Sequence, residues 1–304
     1  MLSVLSQGER KALYLLNIIF EVQARKNINQ ETLFIIDDIA DSFDYKNKYA
    51  IIEYLKDISE DSNFKQIILT HNFDFFRTVQ SRFIPYDNCL MVEKTTNDIK
   101  IEKAEYIRNP FKYWMNNLSD DKKLIASIPF VRNIIEYTKG ENDTNFLKLT
   151  SLLHIKPDTD SILKSNIQDI YNEVFPNLSL SLTDGAKKVI DLFFDLADCC
   201  LTATESINLE NKIVLSIAIR LKAENFILSK ITDKSQVNGN QTRKLFERYK
   251  TEFGHTEQEK VKLLEQVNLM TPENIHFNTF MYEPILDMSD IQLKKLYDNI
   301  KNNL

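Results

Sequence analysis

TLFIIDD (Thr32–Asp38) and QIILTHN (Gln66–Asn72) decide the fold. Each is a short apolar run ending in polar residues, the pattern of a strand buried in a parallel sheet with its chemistry at the carboxyl end. The stretch between them, Asn47–Ile58, has a helical period, and Phe73–Arg82 repeats that period after the second run. Ahead of the first run, Leu5–Arg25 carries Leu13, Leu16, Ile19, Phe20 and Val22 at helical spacing. Strand and helix alternating in this way predict parallel strands joined by right-handed crossovers. CLMVEK (Cys89–Lys94) and DIKIEKAE (Asp98–Glu105) then read as a closing hairpin, with Thr96, Asn97 and Asp98 near its turn.

Past Tyr106 the periodicity is helical. The expected helices are Asp121–Thr138, Asn145–Leu153, Thr159–Phe175, Lys187–Thr202, Leu209–Ile231, Thr242–Phe253, Glu257–Leu269 and Ser289–Asn302. Pro110, Pro157, Pro176 and Pro272 fall between segments, where breakers belong. The expected organisation is an α/β part over residues 1–105 and an all-α part over residues 106–304.

Composition narrows the class. With 43% hydrophobic and 27% charged residues, the chain reads as a globular protein. No window approaches the ~20 apolar residues of a membrane span. MLSVLSQGERKALYLL has no basic region before an apolar run, so a cytoplasmic location is expected. Cys89, Cys199 and Cys200 have no metal-ligand spacing and read as small buried hydrophobes. A net charge of −6 argues against broad adhesion to nucleic acid. The basic stretch from Arg220 to Lys262 reads as a solvated helix surface, with a nucleic-acid track as the alternative. Five glycines occur, at positions 8, 140, 185, 239 and 254, and none has the G-x-x-x-x-G-K-[ST] spacing that wraps phosphates in backbone amides.

Four short segments can carry chemistry. LSQGE (Leu5–Glu9) opens a helix, where Ser6, Gln7, Gly8 and Glu9 present a hydroxyl, amides and a helix dipole to a phosphate. Asp37 and Asp38 end the first strand, where one carboxylate can hold Mg²⁺ through water while its neighbour orients an attacking water. ADSFD (Ala40–Asp44) follows, with Asp44 starting the next helix. His71 tips the second strand, within reach of a γ-phosphate.

In this order the four segments resemble the ABC ATPase superfamily. LSQGE is similar to its signature motif, FIIDD to its Walker B strand, ADSFD to its D-loop and LTHN to its switch histidine. The resemblance spans residues 1–105 and implies the C-terminal half of an ATPase head without its P-loop. Asp38 stands where many members carry glutamate. That departure is shared with AAA_13-like soluble ATPases, a group that includes tRNA anticodon nucleases and phage-defence proteins with a helical effector behind the head. Ile39 replaces the proline usual in that group.

The resemblance implies ATP and Mg²⁺ as cofactors and a head-to-tail pair of heads as the working state. The P-loop then comes from a further segment or a partner chain. Asp37 is implied as the Mg²⁺ residue, Asp38 and His71 as the catalytic pair, and Ser6, Gln7, Gly8, Glu9 and Asp44 as the nucleotide contacts. For the helical part it implies an Arg-x-x-x-Glu pair and a later histidine, matched by Arg132, Glu136 and His154, which could cleave RNA with tRNA as substrate. The bland alternative is a helical ion pair and a structural histidine. Arg248 with His255 is a rival pair, of a spacing resembling another ribonuclease family. The aromatic tail HFNTFMYEP (His276–Pro284) reads as packing. Three functions follow as expectations: an ATP-gated phage-defence effector or sensor, a non-catalytic module binding protein or nucleic acid, or a DNA-repair or SMC-like role, which would place a long coiled coil between P-loop and signature.

Overall fold

In the computed structural model, β1 (Thr32–Asp37) and β2 (Phe64–Leu69) pair in parallel, Thr32 opposite Phe64 and Asp37 opposite Leu69. The structure describes residues 7–39, 45–94, 98–104, 109–203, 209–235, 237, 239–271 and 290–304. The chain divides into two compact units, Met1–Arg108 and Asn109–Leu304.

In the first unit, helix α1 (Gln7–Asn27) precedes β1, α2 (Tyr45–Ser59) connects the strands and α3 (Phe73–Arg82) follows β2. The side-chain period of 2 sends alternate strand residues to opposite faces. On one face, Ile36 and Ile68 pack against Ile51, Ile52, Leu55, Phe75 and Val79 of α2 and α3. Beside them Phe34 meets Phe64 edge-on at 5.3 Å, within a cluster that includes Val22 and Ile58. Gln66 donates its amide to the Leu55 carbonyl at 2.8 Å, tying the sheet to α2.

The opposite face is exposed among the described residues. Leu33 is 56% exposed, Ile35 67%, Ile67 46% and Leu69 42%, and Ile35 stands directly opposite Ile67 in the register. Parallel sheets occur with helices over both faces, and a two-stranded ribbon is marginal by itself. On α1, likewise, Ile18 and Val22 pack inward while Leu13, Tyr14, Leu16, Ile19 and Phe20 are exposed. The helical period anticipated in the sequence is present, but most of its apolar residues find no cover among the described residues.

The expected second strand, Gln66–Thr70, is shifted: Phe64 and Lys65 join the ladder and Thr70 leaves it. β3 (Leu90–Lys94) and β4 (Ile99–Lys103) form the anticipated antiparallel hairpin, with Val92 opposite Ile101. Thr96 and Asn97 of its turn lie outside the described residues, as does the His276–Pro284 tail.

The second unit is helical. Its elements are α4 (Pro110–Met115), α5 (Asp121–Lys139), α6 (Thr144–Thr150), α7 (Lys164–Val174), α8 (Val189–Thr202), α9 (Leu209–Lys230), α10 (Gln241–Phe253), α11 (Gln258–Met270) and α12 (Asp290–Asn303). α9 runs through the middle against α5, α8, α10, α11 and α12, and is buried on most sides. α4 was not anticipated, although Asn109 caps it by accepting from the Lys112 amide and Pro110 opens its first turn. The expected helix Thr159–Phe175 is broken into a 3₁₀ turn (Thr159–Ser161) and α7, because Leu163 is extended and bridges to Lys188. The same bridge delays the start of α8 from Lys187 to Val189. α6 ends at Thr150, short of the expected Leu153. α5 closes on Gly140, whose φ of +90° favours glycine while its N–H reaches the Ile135 and Glu136 carbonyls. Cys89 and Cys200 are buried as expected, whereas Cys199 is exposed. Among the described residues, no helix is long and apolar enough to cross a membrane.

One buried contact joins α4 to α9. The indole N–H of Trp114, which has no exposed surface, donates to Oε1 of Glu210. Burial pushes the Glu210 carboxyl up, against the smaller pull of Trp114 and two lysines, and its Oε2 is buried with no hydrogen-bond partner. Glu210→Gln keeps an acceptor for the indole and removes the ionisable group. It should leave stability unchanged or improved at neutral pH, while Glu210→Leu orphans the indole N–H and should cost about 1–3 kcal/mol. Urea unfolding of the two variants beside the parent distinguishes these outcomes.

Candidate functional site

The ends of β1 and β2 bring two of the anticipated residues together. Asp38 follows β1 with its amide bonded to the Leu69 carbonyl at 3.0 Å, and its φ of +44° lies in the left-handed region that aspartate tolerates. That backbone turn points its carboxylate across to the adjacent strand end. Asp38 Oδ1 accepts from the His71 main-chain N–H at 3.2 Å and lies 3.0 Å from His71 Nδ1. A carboxylate acceptor fixes the tautomer with hydrogen on Nδ1, so Nε2 is the acceptor of the neutral ring. Both side chains are open to solvent, His71 at 67% and Asp38 at 40%. Asp37 is exposed at the last position of β1.

Two neighbours of His71 set its position. Asn72 caps α3 by accepting from the Phe75 amide at 2.9 Å, and its own amide donates to Thr70 Oγ1 at 3.0 Å. Threonine and asparagine thus fold the chain sharply out of the strand, with His71 held between them. The signal for this was an asparagine three residues before Phe75, at the N-cap position.

Of the signature residues, Gln7 and Gly8 lie in the first turn of α1 and Glu9 is exposed there. Ser6 and Asp44 lie outside the described residues. Among the described residues, no group of three or more His, Cys, Asp or Glu side chains could hold a metal ion. Mg²⁺ keeps several waters and is held by one or two carboxylates together with substrate phosphates. Asp37, exposed at the end of β1, has the one carboxylate such an ion would need from the protein if it arrived with nucleotide.

In the helical unit, Arg132 and Glu136 are neighbours on α5, 3.4 Å apart. Arg132 also donates to Thr150 Oγ1 at 2.9 Å and stacks over the Phe146 ring at 4.3 Å, and burial draws its pKa down. His154 has a different carboxylate partner. Its Nδ1 lies 2.8 Å from Glu224 Oε1, and both side chains are buried. Glu224 also accepts from Ile155 N, Gln241 Nε2 and Thr242 Oγ1. Burial alone would raise the Glu224 pKa; the bonds from His154, Thr242 and Ile155 outweigh it and hold the carboxyl below its ordinary range. His154 is pushed down, because burial outweighs its bond to Glu224.

Glu224, Gln241 and Thr242 were not anticipated as partners of His154. A signal for Glu224 existed: Arg220 and Glu224 are charged residues within an otherwise apolar helix, where burial demands pairing. Arg248 of the rival pair is bound by the 233–235 loop, donating to the Asp233 and Ser235 carbonyls at 2.9 and 3.0 Å. No contact joins it to His255 among the described residues. The basic stretch makes no continuous track: Arg220 is buried, Lys250 pairs with Glu265 and Lys260 with Glu257.

Residues 2–137 match the family model described as AAA domain, designated AAA_13. That match supports an AAA, P-loop-like, nucleotide-binding family, whose members use nucleotide and Mg²⁺ in general. It covers less than half of the chain and extends through most of α5. No curated protein and no solved structure matches the chain.

The pKa of His154 and that of Glu224 are both depressed on folding, so protonation of either favours the unfolded state. Stability is fully present above the ordinary histidine value of 6.5 and is lost as pH falls through the lowered folded values of the two groups. Glu224→Ala, which strips the partner from a buried histidine and three other donors, should cost about 3–5 kcal/mol at pH 7 and remove the part of the acid slope that Glu224 itself contributes. Denaturant titrations between acid and neutral pH check both outcomes.

Proposed function

We propose that the first unit is the signature and Walker B half of an ABC-type ATPase head, and that the chain is an ATP-gated effector or sensor of the phage-defence type. The observation that carries this reading is the Asp38–His71 contact at the carboxyl ends of adjacent parallel strands. Ligands of open α/β sheets collect at that end, and both groups suit an attacking water beside a γ-phosphate. Mg²⁺ bound with nucleotide would neutralise phosphate charge, with Asp37 as the residue that holds it through water. Asp38 would orient the attacking water, His71 would hydrogen-bond the γ-phosphate, and Thr70 and Asn72 would keep His71 in place.

The exposed face of the β1–β2 sheet supports the need for a P-loop-bearing segment, supplied by a further stretch of polypeptide or by a partner. Apolar residues at Leu33, Ile35, Ile67 and Leu69 suit the cover that a parallel sheet requires. The signature turn at the start of α1 would then close on nucleotide held by a second head, in a head-to-tail pair.

A second reading is a non-catalytic module whose helical unit binds a protein or nucleic acid. It is favoured by the burial of His154 against Glu224, which suits structural work better than ribose chemistry. RNA cleavage by Arg132, Glu136 and His154 would instead need that histidine to reach substrate.

The test co-purifies this chain with a P-loop-bearing polypeptide, supplied as a second chain or as a fusion. MgATP turnover should appear only in the complex, and Asp38→Asn or His71→Ala should lower kcat by about 10²–10⁴-fold. Turnover by the chain alone, or full activity in Asp38→Asn, would overturn the reading. Incubation of the same complex with total tRNA separates the two readings, because cleavage lost in His154→Ala identifies an RNA-cleaving effector and intact tRNA favours the binding module.

A further inference from the structure

A cavity of about 250 Å³ opens in the helical unit where the 155–157 loop, the end of α9 and the start of α10 converge. Its walls include Ile155, Pro157, Leu228, Val237 and Leu245, and its polar lining includes Lys156, Lys234 and Gln241. Among the described residues, neither lysine has a carboxylate partner. Lys156 donates to the Val237 carbonyl at 3.1 Å, which occupies one of the three N–H bonds of its ammonium. Several other lysines of the unit do pair with carboxylates, among them Lys139 with Glu173, Lys164 with Asp121 and Lys301 with Asp198. Two unneutralised cations over an apolar floor make a mouth that attracts anions.

The lining is held in place from behind. The Ile155 amide donates to Glu224, and Gln241 Nε2 donates to both the Ile155 carbonyl and Glu224. The Lys156 amide donates to Thr159 Oγ1 at 2.8 Å. α10 begins at this wall, with Gln241 and Leu245 in the lining. The buried Glu224–His154 pair thus serves as the anchor that shapes the cavity, and a pre-shaped wall costs a ligand little ordering.

We propose that this cavity binds a small organic anion, its apolar body between Ile155, Leu228, Val237 and Leu245 and its charged head at Lys156 and Lys234. The volume lies below the ~300–1,000 Å³ of drug-sized ligand sites, so the body is the size of a single ring or a short chain. A carboxylate and a phosphate monoester share the required chemistry. This inference stands independently of the ATPase reading, since every group in it lies in the helical unit.

The test is methyl NMR of the full chain titrated with benzoate, phenyl phosphate and the neutral benzyl alcohol. At least one anion should shift the methyl groups of Ile155, Leu228, Val237 and Leu245, and whichever binds more tightly identifies the carboxylate or the phosphate as the preferred head. Affinity should fall about fivefold or more in Lys156→Gln/Lys234→Gln, in keeping with the loss of two charge contacts at an accessible site. Lys234→Gln alone, at an exposed position, supplies the same comparison with the fold unchanged and should still weaken binding. Three results would overturn the proposal: no shift with either anion, benzyl alcohol binding as well as the anions, or affinity unchanged in both lysine variants.

Discussion

The parallel pairing of β1 with β2 is the constraint on which the head unit depends. In-register pairing from Thr32–Phe64 to Asp37–Leu69 makes the two strands end together, and only then can Asp38 and His71 meet across the strand ends. The same pairing has a structural consequence away from the site. A parallel strand has two faces to bury, and α2 and α3 cover only the face carrying Ile36 and Ile68. The arrangement that sets the candidate chemistry is therefore also the one that leaves Leu33, Ile35, Ile67 and Leu69 open. Site and exposed surface are two results of one topology.

The sequence was most legible where one local pattern settles the structure. TLFIID is β1 to the residue and Phe73–Arg82 is α3 to the residue, because an apolar run ending in acid and a capped helical period are both local signals. Legibility failed where tertiary contacts take over. Phe64 lies opposite Thr32 in the ladder and meets Phe34 edge-on, while Thr70 lies past its end with its hydroxyl accepting from the Asn72 amide. Helical periodicity ran unbroken through Leu163, yet a bridge to Lys188 breaks the helix there. Nothing local announces a pairing between residues that far apart.

The same distinction separates the two candidate sites. Asp38 and His71 could be read from motif order, and their contact follows from strand pairing that the motif order implies. His154 could be singled out, but its partner could not, since Glu224 is seventy residues away and meets it only once α9 is threaded through the bundle. Inside that bundle the polar groups are organised around Glu224, which accepts from His154, Ile155, Gln241 and Thr242. A carboxylate so completely satisfied can be buried charged, because each donor offsets part of its lost hydration. It fixes the loop after α6 to the start of α10, and so sets the shape of the helical unit at that point.

On the proposed function, the exposed face of β1 and β2 is a seam for a P-loop-bearing segment. Ile35→Glu tests it most directly, with two measurements on one protein: unfolding of the isolated chain, and its association with that segment. The variant should keep a stability within about 0.5 kcal/mol of the parent, because the side chain already faces water, and should lose association. Severe destabilisation of the isolated chain would mean that the face is already covered within it. Association at parental affinity would place the segment elsewhere, and either result would contradict the account.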